Sequence, residues 1–568
     1  MIMIRRALPV GVDNFEEIVE SNYYYVDKTL LIKELLDKKG KVNLFTRPRR
    51  FGKSLNLSML RYYFENVSVF NKDNSSLFKN LKIMNAGEEY VKELGKYPVI
   101  SLSLKSAKQP TFDIAYHILN KRIQEEYRYH DYLLVSKALT KTEKCLYQQI
   151  YEGKVDYKSV CESIQFLSQC LFKHHQQKVI ILIDEYDVPL ENAYFEEKRG
   201  EKDFYRKMVS FIRSLFESAL KTNEVLQFAV VTGCLRITKE SIFTGLNNLK
   251  TNSILTDNYG EYFGFTQAEV DEMLVAYHQE TKKELVKKWY NGYRFGKTEV
   301  YNPWSVINFV NSGESIPKPY WSNTSSNLLV KDLIERADSV AKREIEDLIS
   351  GKTIEKAVHE EITCEDMYQT QDNLWNFLFF TGYLKQVDSR IVDEDTNVVK
   401  LTLPNIEVRY VYKNMILNWF EAKLKNEKLT RLHRAILSGD CEIITEEINK
   451  YLSETISFYD QGESFYQGFM LGLLKSMENT LVMSNRESGN GRYDIVIKIP
   501  SVKTYDQAII LELKVAKSLK ELETTSQKAL QQIEEREYAK NLYDEGYEVI
   551  GSYGVAFFKK KCSIKFHL

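Results

Sequence analysis

The chain has 568 residues, 43% of them hydrophobic, which is too long for one core, so about three domains are expected. Its 78 basic and 79 acidic side chains leave a net charge of −1, which excludes nucleic-acid capture by a whole-protein field and leaves that task to local patches. Scattered cysteines without a C-x-x-C pair exclude a disulfide framework or zinc knuckle, and no apolar run is long enough for a signal peptide or a membrane span. The expectation is a cytoplasmic protein with reduced thiols and no membrane partner. His174 and His175 read as a surface pair.

In chain order, the apolar positions Leu30, Leu31, Ile32, Leu35 and Leu36 fit one helical face, with Gly40 as its stop. "KVNLFT" (41–46) is a short strand, followed by a glycine turn and a helix from near Lys53. "YPVISLSL" (97–104) is a second strand, and 110–177 reads as helices. "KVIILIDEYDVP" (178–189) is a third strand, apolar on both faces as a central parallel strand should be. A helix around 203–221 leads to a fourth strand, "VLQFAVVTGCLRI" (225–237). Strands alternating with helices predict an α/β parallel sheet domain over 1–265. Residues 266–440 read as mostly helical, with a helix, short hairpin and helix compatible with a winged-helix-like element. Residues 441–568 read as a small separate domain in the order helix (464–477), two strands, long polar helix (518–545) and final strand.

The first constellation lies in "LFTRPRRFGKSLNL". A strand entering a helix through a glycine turn points backbone N–H groups and the positive helix end at one spot. Gly52, Lys53 and Ser54 complete the second half of a phosphate-binding loop; Lys53 would reach terminal phosphates and Ser54 would hold Mg²⁺. Arg47 stands where the first glycine of that pattern is usual. With Arg49 and Arg50 it is expected to replace lost backbone contacts by charge-assisted bonds to phosphate. "ILIDEYD" adds Asp184 for the Mg²⁺, Glu185 to polarise an attacking water and Asp187 in reserve. "VVTGCLRI" adds Thr232 as a γ-phosphate sensor and Arg236 to neutralise charge in cis or across a subunit interface. Each piece alone has a plainer reading: a chance triplet, a capping acid pair, a surface ion pair. Their order, each at a strand end, predicts a P-loop NTPase-like fold binding ATP.

The second constellation lies in "GRYDIVIKIP" and "AIILELKVAK". Residues i and i+2 of a strand share a face, so Glu512 and Lys514 project together, and a hairpin brings Asp494 to the same spot. Asp494, Glu512 and the carbonyl of residue 513 would bind Mg²⁺ or Mn²⁺, while Lys514 orients a water or offsets charge. The glycines and Arg492 of "ESGNGR" (487–492) would let a phosphate backbone approach. Alone, E-x-K reads as an exposed ion pair; the apolar flank and Asp494 favour a metal-dependent nuclease.

"YYYVDKTLLIKELL", "LFTRPRRFGKSLNLSML", "VIILIDEYDVPL", "VTGCLRITKESIFTGLNNL" and "WYNGYRFG…VYNPWSVINFV" together resemble bacterial AAA-ATPase-like proteins with a C-terminal PD-(D/E)XK nuclease-like domain. The resemblance covers nearly the whole chain and implies the arginine-bearing loop as the family form. It also implies a restriction-endonuclease-like α/β fold at the C-terminus, with Tyr493 where the motif has proline. Glu463 matches an additional acid of that superfamily, and Gln532 and Tyr538, on the following helix, resemble a glutamine–tyrosine pair of some such nucleases. The architecture implies DNA in preference to RNA as substrate, a homo-oligomer, and a setting in mobile-element control or phage defence. The alternative is a nucleotide-dependent switch whose C-terminal domain holds nucleic acid without cutting it.

Overall fold

The computed structural model describes residues 6–66, 73–235, 242–243, 246–323, 330, 333–334, 337–359, 371–392, 396–412, 429–455, 463–475, 477, 480–488, 491–500 and 506–568. The chain forms two compact units, 1–333 with 354–408, and 334–353 with 409–568. Most of the stretch 266–408 thus belongs with the N-terminal sheet and not to a separate middle domain.

The first unit is built on β1 (Val42–Thr46), β2 (Val99–Ser103), β3 (Val179–Asp184), β4 (Leu226–Gly233) and β5 (Leu249–Asn252), ordered β2-β3-β4-β1-β5. Every pairing is parallel. Every residue of β1 and β3 is buried, which explains their unbroken apolar runs. β5 carries the sequence LKTN and lacks that pattern; it forms because it sits at an edge, paired to β1 alone. Since β4 lies between β1 and β3, its C-terminal Thr232 and Gly233 arrive beside both functional strand ends.

A short hairpin follows, β6 (Tyr293–Phe295) with β7 (Thr298–Val300), and then an antiparallel sheet of β8 (Ile354–Ala357), β9 (Lys385–Val392) and β10 (Thr396–Thr402), ordered β8-β10-β9. The expected helix and hairpin are the helix Gln371–Phe380 followed by β9 and β10. Leu8, Phe265, Val270, Met273, Tyr290 and Phe309 form a smaller core that fastens the N-terminal segment to the helices after β5. A buried ion pair reinforces it: the Lys28 amine donates to both Glu269 oxygens at 2.6 and 2.7 Å and to the Glu261 carbonyl at 2.6 Å. Such a core, at roughly 1.5–3 kcal/mol per buried large side chain, explains why no domain boundary falls at residue 265.

The second unit holds β11 (Leu481–Ser488), β12 (Gly491–Ile499), β13 (Asp506–Val515), β14 (Tyr547–Phe558) and β15 (Lys561–His567) in sequential order. Only β13 and β14 run parallel. Alternation along the strands assigns the faces. Ile495, Ile497, Ile509, Leu511 and Leu513 pack with the helices Thr430–Ser438, Cys441–Thr455 and Glu463–Leu474. Val496, Ala508 and Ile510 pack with Leu530, Ile533, Tyr538 and Leu542 on the opposite face. The expected pattern lacked β11 and β15. The long polar helix is two helices, Leu522–Glu535 and Tyr538–Asp544, broken where Glu537 takes a left-handed φ of 53°. Among the described residues no helix is long and apolar enough to cross a membrane.

Candidate functional sites

β1 ends at Thr46 and the chain turns into the helix Lys53–Phe64. The turn requires left-handed backbone at Arg50 (φ 70°) and Gly52 (φ 78°). Glycine adopts this freely, whereas a residue with a Cβ spends about 1–2 kcal/mol on it. The turn aims the helix N-terminus into a cavity of about 620 Å³ lined by Arg49, Arg50, Gly52, Lys53, Ser54 and Glu185.

Lys53 donates to the carbonyls of Arg47 and Pro48, both at 2.9 Å, so its amine occupies its own loop. The Ser54 hydroxyl donates to Asp184 Oδ2 at 2.6 Å, and the Thr232 hydroxyl donates to Asp184 Oδ1. The loop serine, the β3 carboxylate and the β4 threonine thus form one hydrogen-bonded group, with the hard oxygen donors a divalent cation takes. Burial raises the Glu185 carboxyl, Asp184 beside it adds to the rise, and Lys53 and Lys105 oppose it. Glu185 is held at φ 53° on the cavity wall.

The arginines divide. Arg49 pairs with Glu191 at 2.7 Å, and Arg50 lies over the Trp304 ring at 4.2 Å; both face the cavity. Arg47, expected at the phosphate position, is instead 0% exposed, donating to the carbonyls of Thr46 (3.0 Å) and Asn252 (2.7 Å). Its guanidinium stacks on Phe263 and Phe295 at 5.3 and 5.0 Å. It ties the ends of β1 and β5 together, because buried carbonyls and ring faces there offer a cation the partners it needs. Asp187 is likewise turned inward, accepting the backbone N–H groups of Cys234 (2.5 Å) and Leu235 (3.0 Å). Arg236 lies outside the described residues. His175 accepts or donates at 2.9 Å with the Tyr132 hydroxyl, and burial lowers it to about 4.

In the second unit, Asp494 directly precedes Ile495, which pairs with Leu511, and accepts the Leu513 backbone N–H at 2.8 Å. Glu512 is 4% exposed; its Oε1 accepts from Gln532, while its buried Oε2 has no hydrogen-bond partner. Lys514 donates to Gln532 Oε1 at 2.5 Å, and Gln532 reaches the Tyr538 hydroxyl at 3.3 Å. The Gln532 amide therefore bridges Glu512 and Lys514, from the helix on the face that period two assigns to them. Burial first, then Asp494, raises the Glu512 carboxyl to about 8 against the pull of Lys514. Burial also raises Asp494, and Glu463, exposed at the start of its helix, adds to the rise.

A buried, unpartnered carboxylate oxygen beside a second carboxylate is a fitting seat for a hard divalent cation. Among the described residues no three His, Cys, Asp or Glu side chains converge to hold an ion, so ligation would draw on Asp494, Glu512 and main-chain oxygen. The side chain of Arg492 and residues 489–490 of the adjoining turn lie outside the described residues.

Sequence reasoning missed the rest of the first cavity: Pro9, Val12, Tyr24, Tyr25, Phe265 and Trp304 line it. The signals present were the aromatic stretches "NYYYVDK" and "YNPWSV", which carry no phosphate chemistry of their own.

Residues 9–243 match the family described as Predicted AAA-ATPase, AAA-ATPase-like, and residues 461–567 match the PD-(D/E)XK nuclease superfamily. The chain is also similar to an "Uncharacterized protein in vnfD 5'region" of Azotobacter chroococcum mcd 1, 26% identical over 336 residues. That match covers 58% of this chain and 57% of the relative, so the chain spans little over half the relative's length.

Proposed function

From a chain that carries an AAA-ATPase-like domain and a PD-(D/E)XK nuclease superfamily domain, we propose an ATP-gated, metal-dependent nuclease acting on DNA. The observation that carries the reading is Glu512, whose buried free oxygen and raised pKa beside Asp494 suit a site built for a cation. Asp494 and Glu512 would hold Mg²⁺ or Mn²⁺. Bound there, the ion supplies an activated water and charge neutralisation at the scissile phosphate. Lys514, released from Gln532, would orient that water or offset the charge of the pentacovalent phosphate, and the bond to the leaving oxygen then breaks. In the first unit Lys53, Arg49 and Arg50 would take the ATP phosphates, with Ser54 and Asp184 holding Mg²⁺ and Glu185 polarising water for hydrolysis.

Homo-oligomerisation, a cytoplasmic site of action and a setting in mobile-element control or phage defence belong to the same proposal, the last on architecture alone. One observation favours a second reading, a switch that binds nucleic acid without cutting it: Gln532 engages both Glu512 and Lys514. A cleavage assay separates the two. Wild type and Asp494→Ala are incubated with linear and supercoiled DNA, with Mg²⁺ or Mn²⁺, with and without ATP. Cleavage by wild type alone supports the nuclease. No cleavage under any condition moves the switch reading to first place.

A further inference from the structure

The stretch "WYNGYRFG" with "YNPWSV" (289–306) takes no part in the phosphate or metal chemistry above, yet it touches the phosphate loop on one side. The Phe51 ring lies 4.9 Å from Tyr293 and 5.2 Å from Phe295, and Arg50 stacks on Trp304. Pro48 packs on Gly382, where a Cβ would come within 2.9 Å of the proline ring.

The other side of the stretch holds residues 403–408, after which the chain enters the second unit. Asn405 donates to the Asn291 carbonyl at 2.8 Å. Gly292, at φ 99°, is needed because a Cβ would meet the Pro404 carbonyl oxygen at 2.2 Å. Glu407, 0% exposed, receives the Ser305 hydroxyl, at 2.8 and 2.9 Å from its two oxygens, and the Trp321 N–H at 2.8 Å. Trp304 thus meets the loop arginine while its neighbour Ser305 meets the buried acid.

We propose that residues 289–305 are a coupling element that passes nucleotide occupancy from Arg50 and Phe51 to residues 403–408, and so to the chain leading into the nuclease unit. The inference rests on reading the cavity as a nucleotide site. The bistable part is the loop itself. In the structure Lys53 bonds the carbonyls of Arg47 and Pro48 and Arg50 rests on Trp304. Phosphates favour the alternative in which both cations turn to them, freeing those carbonyls and changing the contacts of Pro48, Arg50 and Phe51. A ligand shifts such an equilibrium only through a difference in contacts, and these are the contacts that differ. Close packing at Gly292 and the buried Glu407 bonds leave little slack between the loop side and the 403–408 side.

The test is hydrogen–deuterium exchange on the full chain, with and without the non-hydrolysable analogue AMP-PNP and Mg²⁺. The proposal expects exchange in 403–408 to change by about fivefold or more on binding in wild type. Trp304→Leu removes the ring under Arg50; compared at AMP-PNP concentrations that saturate each protein by calorimetry, it should lose the change at 403–408. Trp304→Phe keeps a ring there and should retain it. Asn405→Ala, outside the cavity, removes the bond to the Asn291 carbonyl and reads the transmission from the other side should Trp304→Leu not fold. By reciprocity, Ser305→Ala should shift AMP-PNP affinity without touching the cavity's phosphate end. A response confined to the loop in wild type, or unchanged transmission in Trp304→Leu and Asn405→Ala, overturns the coupling alone. No AMP-PNP binding by wild type overturns the coupling together with the nucleotide reading.

Discussion

The two candidate sites use the same ingredients, a lysine beside carboxylates, and partner them differently. At the phosphate loop the lysine and the β3 carboxylate are engaged within the protein: Lys53 bonds its own loop carbonyls, and Asp184 accepts from Ser54 and Thr232. In the second unit Glu512 keeps a buried oxygen without a partner, and its proton is held to about pH 8. Where the lysine and the carboxylate are already engaged, an incoming anion has to displace those bonds. An under-satisfied site carries a standing electrostatic cost that a cation relieves. Nucleotide binding should therefore rearrange the first unit, whereas metal binding should chiefly stabilise the second.

The largest expected effect tests the second site. Asp494→Asn keeps the shape and removes the charge; DNA cleavage should fall by about 10²–10³-fold while DNA binding, measured by fluorescence anisotropy, persists. Next, Lys53→Ala should weaken ATP binding by roughly 10²-fold in calorimetry. Its melting temperature should stay near wild type, because the freed carbonyls border the cavity; a large drop would break the picture of a displaceable partner.

Third, pH separates the sites. Glu512 binds its proton more tightly folded than unfolded, so its contribution to stability is complete below the ordinary glutamate pKa of 4.5 and is lost as pH rises through about 8. Urea unfolding of metal-free protein should show that loss, and Mg²⁺ or Mn²⁺ should reverse it. Glu512→Gln should be more stable than wild type at pH 9 without metal by about 1–2 kcal/mol and should not respond to the ions. The smallest effect concerns Arg47. Arg47→Lys forfeits the fork and the ring stacking and should lower stability by about 1 kcal/mol with ATP affinity little changed. A large loss of affinity with normal stability would return Arg47 to the phosphates.

Much of this was legible before folding. The runs Val42–Thr46 and Val179–Asp184 announced central parallel strands because burial on both faces demands apolar side chains throughout. Period two placed Glu512 and Lys514 on one face, where Gln532 meets both. Edge strands were hidden: β5, β11 and β15 owe their place to a partner strand more than to their own composition, and none of them was among the expected elements. The break at Glu537 was equally hidden, since a left-handed residue that is neither glycine nor asparagine leaves no local signal.

The residue order by itself determined the motifs of the two proposed chemistries, because a glycine turn before a helix and an acid-x-lysine strand are local arrangements that need only a few neighbours. Tertiary structure alone decided which charges stand where they could serve them. Arg47 and Asp187 look in sequence like Arg49 and Glu185, yet the first two are turned inward to carbonyls and amides and the latter two face the cavity. Burial and partner geometry are set by distant strands and rings, Asn252, Phe263, Phe295 and Cys234, which sequence spacing cannot bring together.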